Sequence, residues 1–388
     1  MKSEWTYRPL GELVSFASGG TPSKKRDDYW GGTIPWISAK TLKTENIDTS
    51  DLFITEEGLK AGSKIAPKGS ILLLTRGSGL FNGIPISRVE KDVAFNQDIK
   101  CLDSYGEVEN EFIFYWLLSQ KDYLMAKVGV TGIGAGKFDL DFLQKLMIPI
   151  PSERERKSIV GFASSISEKI RCNAKINDNL EQQAAALFSS LYNRSNTEVR
   201  YTDLIQILGG GTPKTGETAY WNGNIAFFTP KDVGTPYTFI TEKTITEEGL
   251  SHCNSRLYPV NTVFVTARGT VGKVGLSGVP MAMNQSCYAL VGKETHQLLV
   301  YFYTLKAVDR LKHKASGAVF DAITTRDFDS EQIMKLSDDD AKAFLCVAEP
   351  MFQEILNNSI ENLRLSTLRD FLLPKLMSGE IDVSSVQL

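Results

Sequence analysis

The chain has 388 residues, with 43 basic and 46 acidic side chains and a formal net charge of −3. A hydrophobic share of 42% and a charged share of 23% exclude disordered, collagen-like and low-complexity classes. No run approaches the ~18 apolar residues of a membrane span, and no apolar stretch follows Met1-Lys2-Ser3-Glu4-Trp5 as a secretion signal requires, so a cytoplasmic location is expected.

In chain order, the first feature is Gly19-Gly20-Thr21-Pro22, then Tyr29-Trp30, then Ile54-Thr55-Glu56-Glu57-Gly58-Leu59. All three recur 191 positions on, as Gly210-Gly211-Thr212-Pro213, Tyr220-Trp221 and Ile245-Thr246-Glu247-Glu248-Gly249-Leu250. Ser70–Thr75 predicts a buried strand running into Thr75-Arg76-Gly77, matched by Thr262–Thr266 and Ala267-Arg268-Gly269. Asn96-Gln97 returns as Asn284-Gln285. Asn110–Lys127 and Glu294–Lys314 read as helices. The offset drifts by a few residues between motifs, as loop insertions in a duplicated unit would produce.

Residues 153–194 predict one long helix. Ile159, Phe162, Ile166, Ile170, Asn173, Asn177, Leu180, Ala184, Leu187 and Leu191 follow steps of three and four, close to a heptad seam. The same pattern recurs 185 positions on, at Phe344, Val347, Met351, Ile355, Asn358, Asn362, Leu365, Arg369, Leu372 and Leu376, with Arg369 alone breaking the apolar-or-Asn rule. Ser152 with Glu155, and Ser337 with Asp340, form Ser-x-x-acid starts. Each helix is ~60 Å long at 1.5 Å per residue. The expected fold class is α+β: two globular parts in pseudo-two-fold repeat, separated by two long helices packed as an antiparallel coiled coil. The segments are 1–150, 151–197, 198–335 and 336–388. Polar seam residues lower stability but set register; the alternatives are that these asparagines face solvent or a partner protein. Tyr29-Trp30 and Tyr220-Trp221 read as core anchors.

Catalytic motifs are missing. Gly132-Ile133-Gly134-Ala135-Gly136-Lys137 lacks the strand–helix setting of a nucleotide loop and reads as a flexible turn. Arg268–Lys273 lacks the flanking Gly and Ser/Thr of a phosphate loop, since Ala267 and Val274 stand there. No serine elbow or amino-methyltransferase tetrapeptide occurs. Five cysteines (101, 172, 253, 287, 346) and three histidines (252, 296, 313) have no metal-ligand spacing, so buried free thiols and no metal are expected. The expectation is a binder. A self-sufficient nuclease or methyltransferase lacks its motifs, and a non-catalytic scaffold without sequence-specific DNA binding is the alternative.

A doubled chain with two non-identical ends suits a ligand read at two places. Duplex DNA is one, its major groove returning to the same face every ~34–36 Å. Unlike halves imply an asymmetric, bipartite target. A net negative charge does not exclude this, because binding follows local clusters of cations. The candidate contacts lie in the recurring loops. Thr21, Lys24, Lys25 and Arg26, matched by Thr212 and Lys214, suit phosphate oxygens. Ser38 and Lys40 follow Trp36-Ile37, as Thr229 and Lys231 follow Phe227-Phe228. Arg76 with Ser78, and Arg268 with Thr270 and Lys273, offer forks for guanine or phosphate. The amides of Asn96, Gln97, Asn284 and Gln285 suit adenine, or else tie two loops together. Lys312, Lys314 and Arg326 are weaker candidates.

With these residues in view, the chain resembles the specificity (S) subunit of type I restriction–modification systems over essentially its whole length. The carriers are the two Gly-Gly-Thr-Pro motifs with their Tyr-Trp pairs, the Arg-Gly turns, the Asn-Gln pairs, Ile148–Arg156, and Leu372-Leu373-Pro374-Lys375-Leu376-Met377-Ser378-Gly379-Glu380-Ile381. The resemblance implies target-recognition domains at 1–150 and 198–335 and helical spacers at 151–197 and 336–388. It implies a non-catalytic subunit that joins two modification (M) subunits, which bind S-adenosylmethionine and methylate adenine N6. Restriction (R) subunits, using ATP and Mg, complete the nuclease. On this analogy the helices also dock M, with Ile159, Phe162, Ile166, Asn173, Asn177, Met351, Ile355, Asn358 and Asn362 as the candidate partner interface. The run before the second helix, Gln332–Ser337, lacks the prolines of the first.

Overall fold

The computed structural model describes residues 5–132, 134–234, 236–314 and 322–383. Ile133 of the Gly-rich turn, the N-terminal residues 1–4, and residues 315–321 and 384–388 of the expected segments lie outside the described residues. Two compact units form: Met1–Ile170 with Arg364–Leu388, and Arg171–Leu363. Each combines one globular part with a portion of each long helix, so the units cut across the four expected segments.

In the first unit, a five-stranded sheet has the order Val14–Ser18, Ile99–Ser104, Ile71–Leu74, Ile86–Val89, Asn46–Ile47. Its Ile71–Leu74 strand is buried at every residue, because neighbours pair on both edges and core covers both faces. A second sheet orders Phe53–Ile54, Trp30–Ile37, Val93–Phe95 and Lys64–Ala66, with Trp30–Ile37 and Val93–Phe95 parallel. The helix Asn110–Ser119 buries Phe112 to Leu118 without interruption; the expected helix to Lys127 breaks at Gln120, whose ψ of 4° ends it before Lys121–Met125.

The second unit repeats this plan. Its five-stranded sheet orders Ile205–Gly209, Cys287–Gly292, Val263–Thr266, Val274–Ser277 and Tyr237–Thr238. Beside it lie Lys243–Ile245, Trp221–Phe228 and Met281–Met283, the last two again parallel. The helix Gln297–Lys314 covers the sheet as Asn110–Ser119 does in the first unit.

The long helices are Glu153–Arg194 and Asp338–Met377. Both start alike. Strand Met147–Ile150 pairs with Thr6–Pro9, and strand Gln332–Lys335 pairs with Thr197–Arg200, both antiparallel. A serine cap follows: Glu155 N donates to Ser152 Oγ at 3.3 Å and Asp340 N to Ser337 Oγ at 3.1 Å. Without the prolines, Gln332–Lys335 is still extended, held by its antiparallel pairing with Thr197–Arg200.

Within each unit the helices run antiparallel. In the second, Asn173 Nδ2 donates to Asn362 Oδ1 at 2.9 Å and to Glu361 at 2.7 Å. Asn358 Nδ2 donates to Asn177 Oδ1 at 3.0 Å, and Phe188 meets Phe344 at 5.4 Å. In the first, Ile159, Phe162 and Ile166 share one core with Leu373, Leu376 and Met377. The asparagines therefore bond across the intramolecular seam, Asn173 and Asn358 buried in it and Asn177 and Asn362 half-buried.

This corrects the proposed partner interface. Ile159, Phe162, Ile166, Asn173, Ile355 and Asn358 are buried, and Met351, Asn177 and Asn362 half-buried, in the helix pair and its domain contacts. The stripe also shifts: Phe188, Ala348 and Phe352 are buried where Leu187, Val347 and Met351 were expected. Here the stripe must face the domain as well as the other helix, and Phe302 packs on Phe188, Phe344 and Phe352 at 5.1–5.6 Å. Arg369 stands where the repeat has Ala184; it is buried and forks onto Glu45 at 2.6 and 2.8 Å.

The thiols also differ from expectation. Cys101 and Cys287 are buried, but Cys172 and Cys346 are exposed on the long helices and Cys253 is half-buried. Among the described residues no helix is long and apolar enough to cross a membrane.

Candidate nucleic-acid interface

In each unit four recurring segments, far apart in sequence, meet at the ends of the sheets. The hub is the Asn-Gln turn. In the first unit Gly20 N donates to Phe95 O at 2.9 Å, and Thr21 Oγ1 donates to Gln97 Oε1 at 2.7 Å. Asn96 N donates to Ile37 O at 3.0 Å, and Arg76 N to Asp98 O at 3.2 Å. The second unit matches bond for bond. Gly211 N reaches Met283 O at 3.1 Å, Thr212 Oγ1 donates to Gln285 Oε1, Asn284 N reaches Phe228 O at 2.9 Å and Arg268 N reaches Ser286 O at 3.2 Å.

The Gly-Gly pair is there because nothing larger fits. A Cβ on Gly19 would lie 2.1 Å from Phe95 O, and one on Gly20 1.9 Å from Gly62 O. On Gly210 it would lie 2.2 Å from Asn284 O. Such distances are far inside van der Waals contact.

The tryptophans brace the loop that follows. Trp30 Nε1 donates to Ser23 O at 3.2 Å and Trp221 Nε1 to Lys214 O at 3.1 Å. Tyr29, Trp30, Tyr220 and Trp221 are half-buried, the two tryptophans packing against small hydrophobic clusters while their Nε1 edges face the loop. Trp30 packs edge-on against Trp36 at 5.2 Å, and Trp221 against Phe227 at 5.5 Å.

The candidate side chains then sort by what they touch. Lys24, Lys25, Lys40 and Arg76, and Lys214, Arg268 and Lys273, are exposed, and their side chains make no hydrogen bond or ion pair among the described residues. Ser78 and Thr270 are exposed beside the arginines. Gln97 and Gln285 are exposed, each with its amide oxygen held by a threonine hydroxyl. Asn96 is buried and Asn284 half-buried. Their carbonyl oxygens accept from Asp98 N at 3.1 Å and Ser286 N at 3.0 Å, which shapes the turn.

Other candidates are engaged locally. Arg26 bonds Asp28 at 2.6 and 2.8 Å, and this hydrogen bonding holds the Asp28 carboxyl below its usual range. Lys231 meets Glu242 at 3.2 Å. Thr229 donates to Asp232 at 2.6 Å, and Ser38 Oγ accepts from Lys40 N at 3.3 Å. Lys314, with Arg310, neutralises buried Glu331 at 2.5 and 2.8 Å. Beneath the second rim, burial pushes the Cys287 thiol up to about 12, so it packs as a neutral group.

Sequence reading missed Lys137. Strand Gly136–Lys137 lies between Gly129–Val130 and Arg76–Gly77, with Lys137 directly opposite Arg76. On either side of Ile133, which lies outside the described residues, the two strands are joined by a bond in which Thr131 N donates to Ala135 O at 2.8 Å.

A duplicated α+β domain on paired helices, each domain with a rim of exposed cations that have no side-chain partner among the described residues, defines a class of recognition protein with two like ends. The sequence matches the family described as "Type I restriction modification DNA specificity domain" over residues 2–182 and 193–335. The chain belongs to this family, and it is a specificity subunit. It is 24% identical to the type I restriction enzyme MjaIX specificity subunit of Methanocaldococcus jannaschii, over 99% of this chain and 95% of that one. It is 30% identical to the EcoR124I/EcoR124II specificity subunit of Escherichia coli, over 41% of this chain and 40% of that one. The crystal structure of the S subunit from M. genitalium has the same fold, with a TM-score of 0.55 and 17% identity over 96% of each chain.

Proposed function

We propose that the chain reads an asymmetric, bipartite sequence in double-stranded DNA, one half-site at each rim. It does so in the cytoplasm as the non-catalytic subunit of a complex with two M subunits and with R subunits. The chemistry belongs to those partners: S-adenosylmethionine on M for adenine N6 methylation, ATP and Mg on R. What supports the DNA reading is one observation, the convergence in both domains of the same four segments around exposed cations that have no counter-ion among the described residues. Cations left free in this way suit phosphate and base acceptors.

Roles follow from surroundings. Lys24, Lys25, Lys40, Lys214 and Lys273 sit on mobile stems and bind backbone phosphates. Arg76 and Arg268 have their backbones pinned to the Asn-Gln turn, so their guanidinium groups read base edges beside Gln97 and Gln285. Arg26, Ser38, Thr229 and Lys231 shape the loops that carry them. Asn96 and Asn284 hold the turn.

Arg76→Ala and Arg268→Ala, each in the full complex with M, test this. Each is expected to cost about 1–3 kcal/mol and to relax preference in one half-site only, a different half for each. Competition binding against duplexes substituted base by base measures it. Two variants that relax the same half, or neither, would contradict the assignment.

A further inference from the structure

The Arg76–Lys137 pair is the least explained feature of the first rim. The two residues are directly opposite in antiparallel register, as Gly77 is to Gly136. Directly opposed residues of an antiparallel pair project to one face with Cβ atoms ~4.5–5.5 Å apart, and like charges there repel. Both side chains are exposed, and neither has a hydrogen-bond or ion-pair partner among the described residues. The nearest carboxylate by bonding is Asp98, whose backbone oxygen holds Arg76 N. Its side chain is turned to the amides of Asn96 and Gln97 at 3.3 and 3.4 Å, not to Arg76. The hairpin itself carries no acid between Asp122 and Asp139.

The second domain is built differently at this point. There the residue opposite Arg268 is Ala322. The backbone frame is nonetheless the same, with Phe138 N donating to Thr75 O and Ile323 N to Ala267 O, both at 2.9 Å. One frame thus carries two cations in the first domain and a single one in the second.

We propose that Lys137, directly opposite Arg76 in the strand register, seats one DNA backbone phosphate beside that base-reading arginine, a contact made in the first domain alone. This inference rests on the DNA-reading function proposed above. Lys137 supplies a point charge to the phosphate, and that phosphate in turn relieves the repulsion that would swing Arg76 away from the base edge. Lys137 is therefore an affinity residue of the first half-site, and the second half-site, with Ala322 opposite Arg268, has no equivalent phosphate contact at that strand.

The test uses the full chain in complex with its M subunits. The probes are a duplex carrying the bipartite motif located from adenine methylation and a duplex with one half scrambled. Binding is measured from 50 to 200 mM salt for wild type, Lys137→Gln and Lys137→Arg. Losing one phosphate contact lowers the salt slope by about 0.9, so the deficit of Lys137→Gln shrinks about 3.5-fold across that range. Base preference stays unchanged, Lys137→Arg restores the slope, and the unfolding temperature of each variant matches wild type because the residue is exposed. If Lys137→Gln keeps the wild-type affinity and slope, or changes the preferred base, the phosphate seat is overturned while DNA reading stands. If the wild-type complex itself does not distinguish the two duplexes, the DNA reading and this inference fall together.

Discussion

Arg369→Ala is expected to destabilise the first unit by about 3–5 kcal/mol. The guanidinium is buried on the seam side of the second long helix. It forks onto both oxygens of Glu45, donates to Ser167 Oγ at 3.1 Å on the first long helix, and meets Asp370 at 2.9 Å. Burial alone would lower its affinity for the proton, yet the charges of Glu45 and Asp370 raise it above its ordinary value. Alanine removes the cation and strands Glu45, which is 29% exposed, beside a cavity. Breaking such a pair costs more than replacing it, so Arg369→Met with Glu45→Met is expected to recover most of the loss. Urea unfolding followed by circular dichroism measures both. Wild-type stability in Arg369→Ala would show that the clamp does not hold helix to domain.

Gly20→Ala is the second large effect. Its Cβ would meet the Gly62 carbonyl at 1.9 Å, and because the atom it strikes is backbone, no rotamer change relieves the clash. The loop must move off the Asn-Gln turn, breaking the Gly20–Phe95 bond and the Thr21–Gln97 tie. The stability cost is about 1–3 kcal/mol or more. The functional cost is larger, because Gln97, Lys24 and Lys25 lose their placement together. Discrimination in the first half-site should vanish, while the second half-site keeps its preference. Base-substitution binding by the full complex checks this, and unchanged first-half preference would mean that the rim is not the reading surface.

Much of this was legible before the fold was known, for physical reasons that can be named. A helix whose apolar residues step by three and four must bury that stripe, so Glu153–Arg194 and Asp338–Met377 could be bounded from pattern and caps alone. The Gly-Gly-Thr-Pro repeats marked the rims because only glycine tolerates that approach. What pattern could not show was which partner a seam faces. Ile159 or Asn173 is apolar or polar in the same way against another helix, its own domain or another protein. Arg369 broke the repeat because its counter-charge, Glu45, lies 324 positions away. Lys137 was missed for a similar reason: a Gly-rich run reads as a loose turn until a distant strand, Arg76–Gly77, is found paired to it. Arg26 and Lys231 have the composition of contact residues, but nearby acids already bind them.

The central claim is that this chain chooses the DNA sequence on which its partners act. Single-molecule mapping of methylated adenine, in cells carrying this gene with its M gene and in cells lacking this gene alone, tests it most directly. The account predicts a bipartite, asymmetric motif that disappears with the gene, and in which Arg76→Ala and Arg268→Ala each loosen a different half. An adenine-methylated motif that persists unchanged without this chain, or no motif that depends on it, would contradict the claim and favour a scaffold that reads no DNA.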